Sequence, residues 1–217
     1  MKQTNTLKHL LLTAALAAGL ATVARADDSV PPADQTAPAA GDFTLLGQTY
    51  GTLTYSYINL DGTSVHADSY AFEVNQPLAE NIDGVFGYEY SQTGNIAGSR
   101  VKQQVLSAAV RAFSRSYAWG KPFAEAGVGY ARSRLAGDSD DSFVWSLGIG
   151  AELRVSARAT VTPYVRYADA PDLAGSGAFN FGARGSYWID SLWAVTAGFE
   201  VDDDKNTAFT VGTNFRF

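Results

Sequence analysis

The chain contains no cysteine, one methionine and only two histidines in 217 residues. The fold therefore does without disulfides, and no lipid can be attached at an N-terminal cysteine. Positive charge is also in deficit, with 16 Lys and Arg against 22 Asp and Glu and a net charge of -6. Such a balance argues against nucleic acid as a partner, because phosphate backbones are held by basic surfaces. After residue 26 no apolar run approaches the roughly 20 residues that a membrane-crossing helix needs. If the remaining chain crosses a membrane, it must do so with strands. A mean hydropathy of -0.08 is compatible with that, since alternating strands average to neutral.

The one long apolar run is at the start. Lys2 and Lys8 precede an apolar stretch from Leu10 to Val23, then Ala24-Arg25-Ala26 and the polar pair Asp27-Asp28. This is the pattern of a secretory signal, residues 1–26, cleaved between Ala26 and Asp27. The run is short for a permanent anchor helix, and the small-residue exit favours cleavage. Removing Lys2, Lys8 and Arg25 leaves 13 basic and 22 acidic residues, a net charge of -9. Residues 27–48 contain Pro31, Pro32 and Pro38 and show no apolar periodicity before Phe43. They are expected to form a flexible Pro/Ala-rich periplasmic segment.

From Tyr50 onward the pattern has period two. In the stretch 143–155, odd positions hold Phe143, Trp145, Leu147, Ile149, Ala151, Leu153 and Val155, and even positions from 146 hold Ser, Gly, Gly, Glu and Arg. Successive strand side chains face opposite ways, so one face is apolar and the other small or charged. The alternation recurs in ten segments, about 49–59, 67–77, 82–92, 101–113, 122–134, 143–155, 159–169, 178–188, 192–202 and 207–217. Turn signals such as Leu60-Asp61-Gly62 and Asp202 to Asn206 separate them. The expected fold is an all-β antiparallel up-and-down barrel of ten strands. Eight strands remain the alternative if the weak segments 101–113 and 159–169 are misread.

The polar face carries Glu73, Glu89, Arg111, Glu125, Glu152, Arg154, Arg166, Arg184, Glu200 and Arg216. Charges at that density cannot form a dry core unless paired. The large apolar residues must then point outward, which is the arrangement of a transmembrane barrel rather than a soluble one. Aromatic residues fall into two bands. Trp119, Phe123, Tyr187, Trp188, Trp193, Phe215 and Phe217 lie near one set of strand ends. Tyr57, Tyr70, Tyr88, Tyr90, Tyr130, Phe143, Tyr167 and Phe199 lie nearer the other. Amphipathic rings are favoured at both interfaces of a bilayer.

Several stretches carry a family resemblance. Tyr50-Gly51-Thr52-Leu53-Thr54-Tyr55-Ser56-Tyr57 looks like the opening strand of small bacterial outer-membrane barrel proteins of the OmpA and OmpX style. Val85 to Ser91, Ala126 to Tyr130 and Phe181 to Arg184 resemble their recurring repeats. The last residues, 209–217, are similar to the C-terminal strand recognised by the barrel-assembly machinery, with Phe209, Val211, Phe215 and the terminal Phe217 at alternate positions and Thr213 breaking the apolar series. The resemblance covers residues 49–217. It implies residence in a bacterial outer membrane, with outer-membrane lipid and lipopolysaccharide as surroundings and the assembly machinery as partner during biogenesis.

Chemistry-bearing residues are sparse. His66 lies near Asp61 and Asp68, but a solvated loop histidine explains it as well as a general base does. Carboxylates in the clusters 137–142 and Asp202-Asp203-Asp204 could hold a divalent ion, but no EF-hand Gly and distal Glu complete the first, and both read as solvated turns. No catalytic, cofactor or metal site is expected. The inward charges are nearly balanced, five Glu against five Arg, which suggests mutual pairing across the lumen, with Glu152 meeting arginines such as Arg166 and Arg184. The role this implies is structural or surface interaction in the cell envelope, by a monomer that is not an enzyme. The alternative is a small porin-like channel for ions or small solutes.

Overall fold

Each alternating segment forms a strand, because its small and polar set can turn toward a common axis only if the backbone is extended. In the computed structural model, residues 43–95, 98–117, 119–136, 138–173 and 177–217 are described. The expected signal and cleavage site, Ala24, Ala26 and Asp27, lie outside them, as do residues 27–42. The strands are β1 (Tyr50–Asn59), β2 (His66–Ala79), β3 (Ile82–Thr93), β4 (Val101–Phe113), β5 (Gly120–Leu135), β6 (Asp138–Arg154), β7 (Ala159–Asp169), β8 (Ala178–Trp188), β9 (Trp193–Asp202) and β10 (Thr207–Arg216). Both weak segments are strands, β4 and β7, so the count is ten and not eight.

Every strand pairs antiparallel with its chain neighbours, and β1 pairs with β10, from Tyr50 opposite Arg216 to Asn59 opposite Thr207. Closure leaves no free sheet edge. The β6–β7 ladder is interrupted between the pairs Gly150–Tyr164 and Leu153–Val161. Pro163 sits in this gap and has no N–H to donate. The start of β1, the end of β10, and the turns after β2, β4, β6 and β8 define the proximal end of the barrel. The loops after β1, β3, β5, β7 and β9 define the distal end.

Side-chain facing follows the alternation. On β6, Phe143, Leu147 and Ile149 are exposed while Ser142, Val144, Ser146 and Glu152 are buried. Apolar side chains thus cover the outside and small or polar ones fill the inside, as in a membrane-spanning barrel. Two aromatics from the proximal band break this rule. Trp188 is fully buried, with the Arg216 guanidinium 3.9 Å from its ring centroid. Phe123 lies under Arg111, at 5.2 Å. Both stand in the same alternation phase as inward charges, Trp188 with Arg184 and Phe123 with Glu125, so both face the lumen and not the bilayer interface. Tyr187, Trp193 and Phe217 do face outward.

Candidate functional site, the barrel lumen

The lumen is filled in three layers. At the distal end two apolar clusters fill it beside buried polar side chains such as Thr93, Gln103 and Ser133. Ile58, Leu60, Ala67, Val101 and Ala208 form one cluster, and Val105, Ala131, Val144, Ala168, Ala170 and Leu173 form another. Leu60 and Leu173, which follow β1 and β7, are buried in these clusters. Asp202 fastens the distal β9–β10 turn, accepting hydrogen bonds from the backbone N–H of Asn206 (2.8 Å) and from its side-chain amide (2.7 Å).

The middle layer holds the charges. Glu125 is clamped between two arginines. Arg111 donates from Nε to one carboxylate oxygen at 2.7 Å, and Arg166 reaches the other at 3.2 Å. Tyr164 donates its hydroxyl to Glu200 at 2.6 Å, and Ser69 donates to Glu89. Tyr164 finds room because β8 has Gly182 opposite it. A Cβ there would come within 2.5 Å of the tyrosine ring. Glu73 and Arg184 line the same space beside Tyr50, Arg111 and Arg166, around a residual cavity of about 70 Å³. That volume admits only a few water molecules.

The proximal layer is made by the chain itself. Residues 43–48, assigned from sequence to the flexible segment, enter the proximal mouth before β1 begins. Glu152 accepts the backbone N–H of Leu45 at 2.7 Å and of Leu46 at 3.1 Å. Asp83 accepts the N–H of Gly47 at 2.9 Å, and the Asn75 amide donates to the Gln48 carbonyl at 2.8 Å. Lys121 donates to the Leu46 carbonyl at 3.0 Å, and Arg216 donates to that of Thr44. Phe43 packs on Trp188 with ring centroids 6.0 Å apart, and Leu46 is buried. Gly47 has a φ of +80°, open to glycine at little cost, and a Cβ there would meet the Arg115 guanidinium at 2.5 Å.

The structure thus gathers Glu73, Glu89, Arg111, Glu125, Glu152, Arg166, Arg184, Glu200 and Arg216 inside the barrel. Arg154 is different: it is the last residue of β6 and is exposed, because the wall ends there. Glu152 was expected to meet Arg166 and Arg184. The hydrogen bonds of Glu152 described above anchor the N-terminal segment, and Arg166 bonds Glu125. Asp83, Lys121, Asn75, Tyr50 and Tyr164 were not foreseen. Their alternation phase was readable, but the partner that engages the first three is a segment with no periodicity of its own.

The remaining candidates have local roles. His66 stacks on Tyr57 at 5.1 Å, while the nearby carboxylate of Asp68 accepts the Tyr55 hydroxyl at 2.6 Å. Among the described residues no group of three or more His, Cys, Asp or Glu side chains is arranged to hold a metal ion. On β10, Phe209 and Val211 are exposed, and Phe215 lies between Trp193 (5.5 Å) and Phe217 (5.8 Å). The outward Thr213 satisfies its hydroxyl by donating to the Ala194 carbonyl at 2.9 Å, which explains how a polar residue is tolerated in that series.

No known protein family pattern matches the chain, and no curated protein matches it. Solved structures do. The β domain of the Bordetella autotransporter BrkA superposes with a TM-score of 0.50 at 12% identity, covering 80% of this chain and all of that one (100%). The translocator domain of the autotransporter NalP from Neisseria meningitidis gives 0.49 at 9% identity, over 82% and 91% of the two chains. Neisserial surface protein A gives 0.45 at 10% identity, over 78% and 96%. With the BrkA β domain the likeness is one of fold, here a closed antiparallel β-barrel of ten strands.

Proposed function

We propose that this chain is an integral protein of a bacterial outer membrane with a structural or surface-interaction role in the envelope, and that it is not an enzyme. On this reading it is exported with a cleaved signal, inserted by the barrel-assembly machinery and acts as a monomer. The observation that carries it is the filled lumen: apolar distal clusters, a paired charge layer and a proximal segment hydrogen-bonded to Glu152 and Asp83. A barrel closed by its own side chains is a rigid support, and what it offers to partners is its outside and its loops. Planar-bilayer recording of the refolded protein is expected to show no stepwise conductance. Steady channel openings in the unmodified protein would overturn this reading.

A second reading is favoured by one specific feature. The proximal closure is a short segment held by hydrogen bonds, so its release would leave a polar lumen open at that end. Glu152→Ala removes the acceptor of two amides, at a cost of roughly 1–3 kcal/mol of stability. If closure by residues 43–48 is only structural, the variant is less stable yet still silent in the bilayer. If the barrel is a gated channel for ions or small solutes, the variant opens.

The C-terminal strand carries the assembly expectation. Deleting Phe217 is expected to lower the outer-membrane level of the protein several-fold, whereas deleting Ala33 leaves it near normal. Membrane fractionation with quantitative blotting compares the two. Equal levels would remove Phe217 from any part in assembly.

A further inference from the structure

Strand register places a basic patch on the outside of the barrel, just beyond the aromatic belt at the distal end. Tyr88, Leu106, Tyr130 and Phe143 are partners across β3 to β6, and all four are exposed. Two residues further toward the distal end, Gln104 pairs with Arg132, and Arg132 with Asp141, to which it is bridged at 3.3 Å. Two residues further again, Lys102 stands directly opposite Arg134, and both are exposed. Among the described residues neither Lys102 nor Arg134 has an ion-pair partner.

Like charges directly opposite on neighbouring strands repel. The arrangement is also unusual for so acidic a chain, and it is local: the same register row continues through Gln92 to Asp68 on β2, where the sign has changed. Depth gives the pair a meaning. Lys102 and Arg134 each lie four residues beyond the belt residues Leu106 and Tyr130 on their own strands. At about 3.4 Å per residue along a tilted strand, this is headgroup depth.

We propose that Lys102 and Arg134 bind the phosphate monoester of a phosphorylated glycolipid headgroup in the outer leaflet. A phosphate monoester carries about -1.5 to -2 charges near neutral pH, enough to meet both cations at once. Arg132, held by Asp141, flanks the site. The proposal rests on the outer-membrane reading above.

Native mass spectrometry of the full protein refolded in neutral detergent, titrated with diphosphoryl lipid A, tests it. Heat-modifiable gel migration first confirms the folded barrel. A chain that does not fold under these conditions contradicts the membrane-barrel reading itself, separately from the lipid site. The folded wild type is expected to hold one lipid A. K102Q/R134Q should lose at least ten-fold in apparent affinity, and the charge-preserving K102R/R134K should keep most of it. Phosphatidylglycerol, a singly charged diester, should bind at least ten-fold more weakly than lipid A. Inorganic phosphate at matched concentration should not compete. Equal occupancy in wild type and K102Q/R134Q would overturn the site. Equal binding of phosphatidylglycerol, or displacement by inorganic phosphate, would overturn its assignment to a phosphomonoester lipid.

Discussion

Glu125→Ala is expected to destabilise the barrel by about 3–5 kcal/mol, the largest effect of any single substitution in the lumen. The reason is the environment of the two arginines it serves. Arg111 and Arg166 are mostly enclosed, and Glu125 bonds both, through separate oxygens at 2.7 and 3.2 Å. Removing the carboxylate takes a bonded counter-charge from two guanidinium groups that stay enclosed. Charge kept out of water with less compensation costs more than the net attraction of the intact triad. The same logic makes a counter-intuitive expectation: R111M/E125L/R166M, which removes all three charges together, should be milder than Glu125→Ala alone. Urea titration of reversible folding in lipid, followed by tryptophan fluorescence, reports both. If Glu125→Ala costs less than 1 kcal/mol, as exposed pairs do, the middle layer is solvated and the closed-lumen reading fails.

Outside the barrel the expected effect is of similar size but opposite in origin. Leu147→Arg and Ile149→Arg should each cost about 2–4 kcal/mol, because a cation is placed against hydrocarbon near the bilayer midplane. Leu147 is 54% and Ile149 is 63% exposed, and both lie near the middle of the apolar run on β6. Val155, just beyond the end of that strand, is 61% exposed, yet Val155→Arg should cost under about 1 kcal/mol, since it lies at the interface. Refolding titrations of the three variants in the same lipid measure this gradient. A flat profile, with equal costs at 147, 149 and 155, would mean that this face does not contact a bilayer. Gly148 makes a useful contrast: it faces inward, where an added Cβ would meet Arg166 Cγ at 3.7 Å. Gly148→Arg therefore acts by crowding the Arg166–Glu125 contact rather than through lipid.

Much of this architecture is visible in the linear sequence for a local reason. Whether a strand residue faces in or out depends only on its phase in the alternation, so Glu125, Glu200 and Leu147 could be placed without knowing any neighbour. Trp188 and Phe123 show the limit of residue type as a guide. Their chemistry suggested the bilayer interface, but their phase, shared with Arg184 and Glu125, put them inside. Phase outranks type, because a single-residue slip would turn the whole strand over.

The alternation and the turn signals, then, determined the strand order, the apolar-out facing and the inward placement of the charges, since these are properties of the extended backbone itself. Which charge meets which was decided only by the tertiary structure. The angular position and height of each residue around the lumen depend on the stagger of ten paired strands, which no single segment encodes. Glu152 meets the amide of Leu45 across 107 residues of chain, and Arg166 meets Glu125 across 41. The closure of the proximal mouth by residues 43–48 is the furthest from anything periodic. That segment has no side-chain repeat to read, and its place is set through its backbone N–H and C=O groups, which every sequence shares, by carboxylates and amides that only the closed barrel brings to one end.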